Sequence, residues 1–425
     1  MRRKSFFIIS AALLPVFIHI SLLLFAFFKY GYIPLMRFDI VIHIALLAYI
    51  LGILLTFKWH EKLLRLTIVA YSFFLGIFVI ELYFCFKQHD FYPWPPFLQR
   101  NSYVVGDSMP GISGKIKFSI NSHGLRGPDV DMTKADITFL VIGGSTAECL
   151  YVTDLLSWPW RLQDKLSLKL KKNIFVGNAG KSGDTTLDHI YLLENYKYAS
   201  EFDWVILLCG INDLGRLLRN DSNYFNKSQQ IKEKRIPVNN INVYYRNLHM
   251  VNIIKSIFYK YDSNKEYQDG AGLWYVEQRQ KRKKALEKNA IKKLPLNLNH
   301  ALLLYKNNLR VIIEICRSRN QNLILLTQPT MWRSDLPEKL HDLCWQHVGE
   351  NMAYTTDVLA KLERLYNRSL IDVCKKEKIS YVDIASMLPK DESIFYDDCH
   401  FNIDGCEYVA NILTDYMAIR VVQKN

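Results

Sequence analysis

The sequence predicts an α/β domain on a parallel sheet covered by helices on both faces, preceded by three transmembrane helices. Three observations carry this expectation. From about residue 135, apolar runs of strand length alternate with helical patterns, the rhythm of a parallel sheet. Two of those runs pass directly into Gly-rich turns carrying Ser145 and Asn212, at the strand ends where open α/β sheets hold ligands. Before residue 90, three apolar stretches are each long enough to cross a bilayer.

Those stretches are 6–28, 40–57 and 66–86. The first follows Arg2-Arg3-Lys4 but is too long, and lacks the small-residue cleavage site, for a secretory signal peptide, so it reads as a retained anchor. Asp39, His43 and Glu81 interrupt or border the spans, and Glu81 lies near enough to an end to snorkel. Basic residues precede the first span and recur as Lys58, Lys62 and Arg65 between the second and third. The positive-inside rule then makes the N-terminus cytoplasmic and puts everything after Phe86 on the extracytoplasmic side. That side is the periplasm or exterior of a bacterium, or the secretory lumen or outside of a eukaryotic cell. Phe91 to Phe97, rich in aromatics and proline, suits the headgroup layer or a plain stiff linker. The expected organisation is a membrane anchor over 1–88, a juxtamembrane linker and lead-in over 89–134, and a catalytic domain over 135–425.

Within that domain the strand candidates are 137–142, 174–178, 203–209, 322–328 and 380–384, and the helical patterns include 155–171, 298–318, 351–377 and 405–417. Residues 215–297 break the rhythm with a polar, aromatic and basic stretch containing no clear sheet strand. Following the Asn212 loop directly, this insertion is expected to rise over the site as a lid or substrate platform; a plain surface insertion is the alternative.

Four short segments supply the parts of an ester-cleaving site: Gly143-Gly144-Ser145-Thr146, Asn178 to Gly183, Gly210-Ile211-Asn212-Asp213 and Asp397-Asp398-Cys399-His400. A serine hydroxyl is a poor nucleophile at neutral pH. It needs an imidazole within hydrogen-bond reach, and the imidazole needs a carboxylate to fix its tautomer and offset its charge. His400 and Asp397 fit these roles for Ser145, with Asp398 the rival orienter. The tetrahedral oxyanion needs donors placed in advance, each worth roughly 3 kcal/mol of barrier. The Ser145 N–H, the Gly183 N–H and the Asn212 amide are the candidates, while Asp213 is expected to fix its loop. A second Gly-Asp-Ser, at Gly106-Asp107-Ser108, follows only a short apolar stretch and precedes Gly-rich sequence, so it reads as a decoy.

In these four blocks, and in their order, the chain resembles the SGNH (GDSL-type) hydrolases, a family of esterases, lipases and carbohydrate O-acyl deacetylases. The resemblance covers about residues 135–420. It implies Ser145 as nucleophile, Ser145, Gly183 and Asn212 as oxyanion donors and His400 with Asp397 as the base pair. It also implies a flavodoxin-like three-layer α/β/α domain. The serine block departs from the family's Gly-Asp-Ser-Leu by carrying Gly144. Residues 89–134 resemble the short β-rich lead-in of some membrane-attached relatives.

The formal net charge of +13 over 425 residues favours contact with anionic lipid or anionic polymer over nucleic acid in an extracytoplasmic protein. Much of it lies between Arg279 and Lys293, a solvated helix face or a polyanion contact. Of eight cysteines, Cys85 falls in a span; Cys399 and Cys406 bracket His400 and are either bridged or buried free thiols. His341, Cys344 and His347 have a loose metal-ligand spacing without a fourth ligand. The mechanism calls for no metal or cofactor. The expected activity is a serine esterase removing acyl groups, such as O-acetyl, from a cell-envelope glycan or related surface molecule or a small ester. The alternatives are an O-acyltransferase using the same acyl-serine, or a silent envelope assembly subunit.

Overall fold

A computed structural model describes residues 91–104, 108–234 and 271–423. Before the main sheet, β1 (Gln99–Tyr103) and β2 (Lys115–Ser119) form an antiparallel pair. Then β3 (Ile137–Gly143) leads through α1 (Ser145–Glu148) and α2 (Trp158–Leu170) to β4 (Ile174–Asn178). Next, α3 (Thr186–Asn195) leads to β5 (Trp204–Leu208). After β5 come α4 (Ile211–Leu218), α5 (Ser222–Lys234), α6 (Ala271–Asn289), β6 (Ala290–Ile291), α7 (Leu298–Ser318) and β7 (Asn322–Leu326). The remaining elements are α8 (Glu338–His341), β8 (Ala353–Tyr354), α9 (Thr356–Glu377), β9 (Ser380–Val382), α10 (Ile384–Met387) and α11 (Ile403–Val422).

Every residue of β3, β4 and β5 is buried, as strands covered on both faces require. The sheet runs β4-β3-β5-β7-β9 with all pairs parallel. Because crossovers are right-handed, the step from β3 to β4 puts α2 on one face, and the opposite steps to β5, β7 and β9 put α3, α7 and α9 on the other. In agreement, α11 packs along α2, and α7 contacts both α3 and α9. The strand order reverses between β3 and β5, which opens a crevice at their carboxyl ends. Ser145 and Asn212 follow those two strands.

Several boundaries differ from expectation for local reasons. The strand expected over 322–328 ends at Leu326, since the Gln328 N–H donates instead to Asn367 Oδ1 at 2.8 Å. The helix expected from 351 begins at Thr356 because Ala353 and Tyr354 pair with Ala290 and Ile291. Helix α3, absent from the sequence reading, starts on a capping box in which Thr185 and Asp188 bond each other reciprocally. Among its described residues the insertion contributes no strand to the main sheet, only β6 in a separate two-stranded pair.

The three transmembrane helices are corrected. Among the described residues no helix is long and apolar enough to cross a membrane. The longest, α9 and α7, have the length but carry charged faces against solvent. The stretches 6–28, 40–57 and 66–86 lie outside the described residues. The three-span anchor, the cytoplasmic N-terminus and the extracytoplasmic catalytic domain are withdrawn with it. The aromatic stretch expected at the headgroup layer is seated on the domain. Trp94 Nε1 donates to the Gly180 carbonyl at 3.1 Å, and Lys181 Nζ donates to the Pro93 carbonyl at 3.2 Å while lying over the Trp94 ring.

Arg126 ties the lead-in to the turn after β3. Helix α1 ends after one turn with Cys149 in the left-handed region at φ 53°, leaving carbonyls without helical partners. The buried Arg126 guanidinium donates to the carbonyls of Glu148, Cys149 and Val152. Its Nε pairs with Asp154 at 3.4 Å, and Asp154 also accepts from the Ser119 N–H and hydroxyl. Replacing Arg126 with Met strands a buried carboxylate and three carbonyls at once. Urea denaturation of Arg126→Met is expected to show a loss of roughly 3–5 kcal/mol in unfolding free energy.

Candidate active site

Ser145 opens α1 where β3 ends. A Cβ at Gly143 would lie 2.5 Å from the Leu208 carbonyl oxygen, and one at Gly144 2.4 Å from Asn212 Nδ2. Glycine at both positions therefore lets β5 and its loop close on the serine, and any side chain in place of Gly144 would collide with the Asn212 amide. Ser145 Oγ lies 2.7 Å from His400 Nε2, and His400 Nδ1 lies 2.6 Å from Asp397 Oδ2. A proton on Nδ1, given to the carboxylate, leaves Nε2 to accept from the serine hydroxyl.

Asp397 has no solvent exposure. Its Oδ1 accepts the N–H groups of Cys399 at 2.9 Å and His400 at 2.8 Å, and its Oδ2 also takes the Trp345 indole N–H at 3.0 Å. Burial works to raise the Asp397 pKa, but the His400 ring and the Cys399 and His400 N–H groups outweigh it and hold it below the usual carboxylate range. Burial works equally against the His400 charge, yet the Asp397 carboxylate outweighs it and raises the imidazole well above its ordinary value. The rival, Asp398, does not bond His400. Its Oδ1 accepts from Trp332 Nε1 at 2.5 Å, and its Oδ2 accepts from the N–H groups of Trp345 at 2.6 Å and Gln346 at 3.2 Å.

The glycine-block loop is drawn to the same rim. Asn178 Nδ2 donates to the Ala147 carbonyl at 2.9 Å, and the Lys181 N–H donates to the Gly143 carbonyl at 3.0 Å. Glu148, buried behind Ser145, accepts the Ser182 N–H at 2.6 Å and the Ser182 hydroxyl; burial raises its pKa despite these donors. Gly183 follows at φ +85°, a left-handed conformation that disfavours any other residue. Asn212 Nδ2 donates one hydrogen to the Asp184 carbonyl at 2.9 Å, which orients the amide and leaves its second N–H for another acceptor. Asp213 anchors the surrounding loop, accepting from the Thr186 N–H and hydroxyl and from the Tyr224 hydroxyl. Burial pushes its carboxyl up to about 6.

Helix α6 of the insertion supplies a wall that no motif announces. Tyr275 meets His400 edge-on at 6.4 Å between ring centroids, and Tyr396 stacks on His400 at 5.5 Å. Trp274 meets Trp345 at 5.3 Å and is 43% exposed. Two residues of the basic run turn inward: Arg279 donates to the carbonyls of Ser108 and Tyr396, and Arg282 to those of Gln346 and Tyr354. Lys281, Lys283 and Lys284 face solvent. Ser108, whose carbonyl takes Arg279, is not the serine bonded to His400. The metal-like spacing at His341, Cys344 and His347 does not converge, since both ring nitrogens of His347 are engaged by Gly349 and Gln278 and Cys344 bonds the Leu340 carbonyl. Asp397, Cys399 and His400 present ligand-type atoms within 4.8 Å of one another, but Asp397 and His400 bond each other and burial holds the Cys399 thiol up at about 11. Cys406 lies 3.9 Å from the Cys149 sulfur rather than beside Cys399, and all the described cysteines are free.

A family model described as the GDSL-like Lipase/Acylhydrolase family matches residues 141–408. Among solved structures, the chain is similar to LAE5, an alpha/beta hydrolase enzyme from the metagenome of Lake Arreo, Spain. That match has 14% identity and a TM-score of 0.37, and covers 67% of this chain and 95% of that one. It is also similar to Axe2, an acetylxylan esterase from Geobacillus stearothermophilus, at 16% identity and a TM-score of 0.36, covering 66% of this chain and 94% of that one. No curated protein matches the chain significantly. The family match spans more than half of the chain and takes in all four motif blocks, so this protein belongs to the GDSL-like lipase/acylhydrolase family and is an ester hydrolase.

Proposed function

We propose that the chain is a serine esterase that removes acyl groups, O-acetyl among them, from a carbohydrate. The observation that carries this reading is the chain of hydrogen bonds from Ser145 Oγ through His400 to the buried Asp397. In this mechanism His400 Nε2 takes the Ser145 proton as Oγ attacks the ester carbonyl, and Asp397 stabilises the imidazolium that forms. The N–H groups of Ser145 and Gly183 and the free amide hydrogen of Asn212 meet the oxyanion. His400 returns its proton to the departing alcohol, and water then resolves the acyl-serine by the same steps in reverse. The sugar half of the substrate is supported by the half-exposed Trp274 beside Trp345, since aromatic faces stack on the apolar faces of sugar rings. The envelope location rested on the membrane spans and on the positive charge of +13 read together with them, and without the spans it is not proposed.

Turnover of p-nitrophenyl acetate by the full chain is expected to vanish in Ser145→Ala and to persist in Ser108→Ala; the reverse pattern would refute the assignment. Asn212→Ala is expected to lower kcat by roughly a hundred- to a thousand-fold.

The pH profile follows from the His400 shift. A base with a raised pKa stays protonated to a higher pH, so the rate should climb with pH along a limb centred above the ordinary value of about 6.5. Asp397→Asn removes the main raising influence, so its limb should move to lower pH while kcat falls by roughly ten-thousand-fold. Stopped rates measured from acid to alkaline buffer check both.

A further inference from the structure

Trp345 touches both carboxylates of the Asp397-Asp398 pair. Its indole Nε1 donates to Asp397 Oδ2 at 3.0 Å, the same oxygen that holds His400 Nδ1 at 2.6 Å. Its backbone N–H donates to Asp398 Oδ2 at 2.6 Å. The indole is held in place by more than these bonds, with Trp274 edge-on at 5.3 Å and Tyr275 at 6.2 Å. Of the four donors on Asp397, two are backbone groups of its own turn and one is His400. Among the described residues, Trp345 is the only one of these donors delivered from another segment of the chain.

We propose that Trp345 is a positioning residue: its indole N–H fixes the Asp397 carboxylate toward His400 and tempers how strongly that carboxylate draws a proton onto the imidazole. This rests on the esterase reading above. A hydrogen bond to an ionised acceptor draws on the acceptor's charge. The indole therefore competes with His400 for Oδ2, and without it the full charge of that oxygen acts on the imidazole.

The other groups facing the pair would remain. Asp398 and Cys399 come from its own turn, with the Cys399 sulfur 3.9 Å from His400 Nδ1. Tyr396 stacks on the ring, Tyr275 and Arg279 approach from α6, and Cys344 precedes the indole. Trp345→Phe alters none of them, keeps an aromatic ring in the cluster and deletes one donor.

The test uses the full chain with 15N-labelled Trp and His. In Trp345→Phe the His400 titration and the acid limb of kcat/KM are both expected to move to higher pH by roughly half a unit. In an Asp397→Asn background the same substitution should leave the His400 titration where it was, because the oxygen it acts on has lost its charge. A merely structural role would lower activity at every pH and move neither curve. An unmoved titration in folded Trp345→Phe, or an equal shift in both backgrounds, would overturn the proposal. One measurement needs no variant: the Trp345 indole N–H resonance of the native chain should titrate with the pKa of His400, and a flat response would also overturn it. Ester turnover by Ser145→Ala would instead sink the underlying esterase reading and leave the His400 titration as an independent result.

Discussion

A fully buried carboxylate must be met by donors or it will not stay ionised, and Asp397 imposes that demand on everything around it. Two of its donors come from the turn it begins, so the stretch from Asp397 to His400 folds back tightly on itself. The third is the imidazole, whose orientation is thereby set, and Ser145 Oγ falls 2.7 Å from the nitrogen left over. The fourth, from Trp345, reaches across from the segment after α8. Desolvation strengthens each of these bonds and makes each omission costly. A single charge thus ties together the loop before α11, the segment before β8 and the end of β3.

A second set of constraints holds the opposite rim. Glycines at 143 and 144 allow β5 and the Asn212 loop to approach Ser145. Glu148 grips Ser182, Asn212 grips the Asp184 carbonyl, and Asp213 grips Thr186 and Tyr224. The Glu148, Asn212 and Asp213–Thr186 bonds join the chain after one strand to the chain after another, so the donors suited to an oxyanion are held before any substrate arrives. Arg126 closes the arrangement from behind by occupying the carbonyls released where α1 stops after a single turn. The one-turn helix ends on a non-glycine left-handed cap, Cys149, and the guanidinium supplies the donors that its freed carbonyls lack.

The insertion connects the two halves of the site to their surroundings. Helix α6 lies in the stretch read as polar, aromatic and basic and expected over the site; its aromatic residues cover His400, while Arg279 and Arg282 tie it to carbonyls around the Asp397 turn. The solvated-face reading therefore applies to Lys281, Lys283 and Lys284 and fails for the two arginines. The reason is geometric. Successive charges on a helix point around its full circumference, and the run alone does not say which face meets the protein.

What the sequence by itself determined is the sheet and the motif residues. Apolar runs too continuous for one-sided burial have to be central parallel strands, and Ser145, Asn212, Asp397 and His400 stand at turns whose residue types suit one chemistry. The sequence favoured Asp397 over Asp398 only through the motif's resemblance to the family, since adjacent residues differ only in the direction a backbone turn sends their side chains. It also could not reveal Trp345, Tyr275, Glu148 or Arg126, because their partners lie far away in the chain and no spacing records them. Apolar stretches near the N-terminus led to a membrane expectation that the described helices do not bear out. Tertiary structure alone decided these points, because a hydrogen bond to a buried charge depends on where two distant segments meet in space.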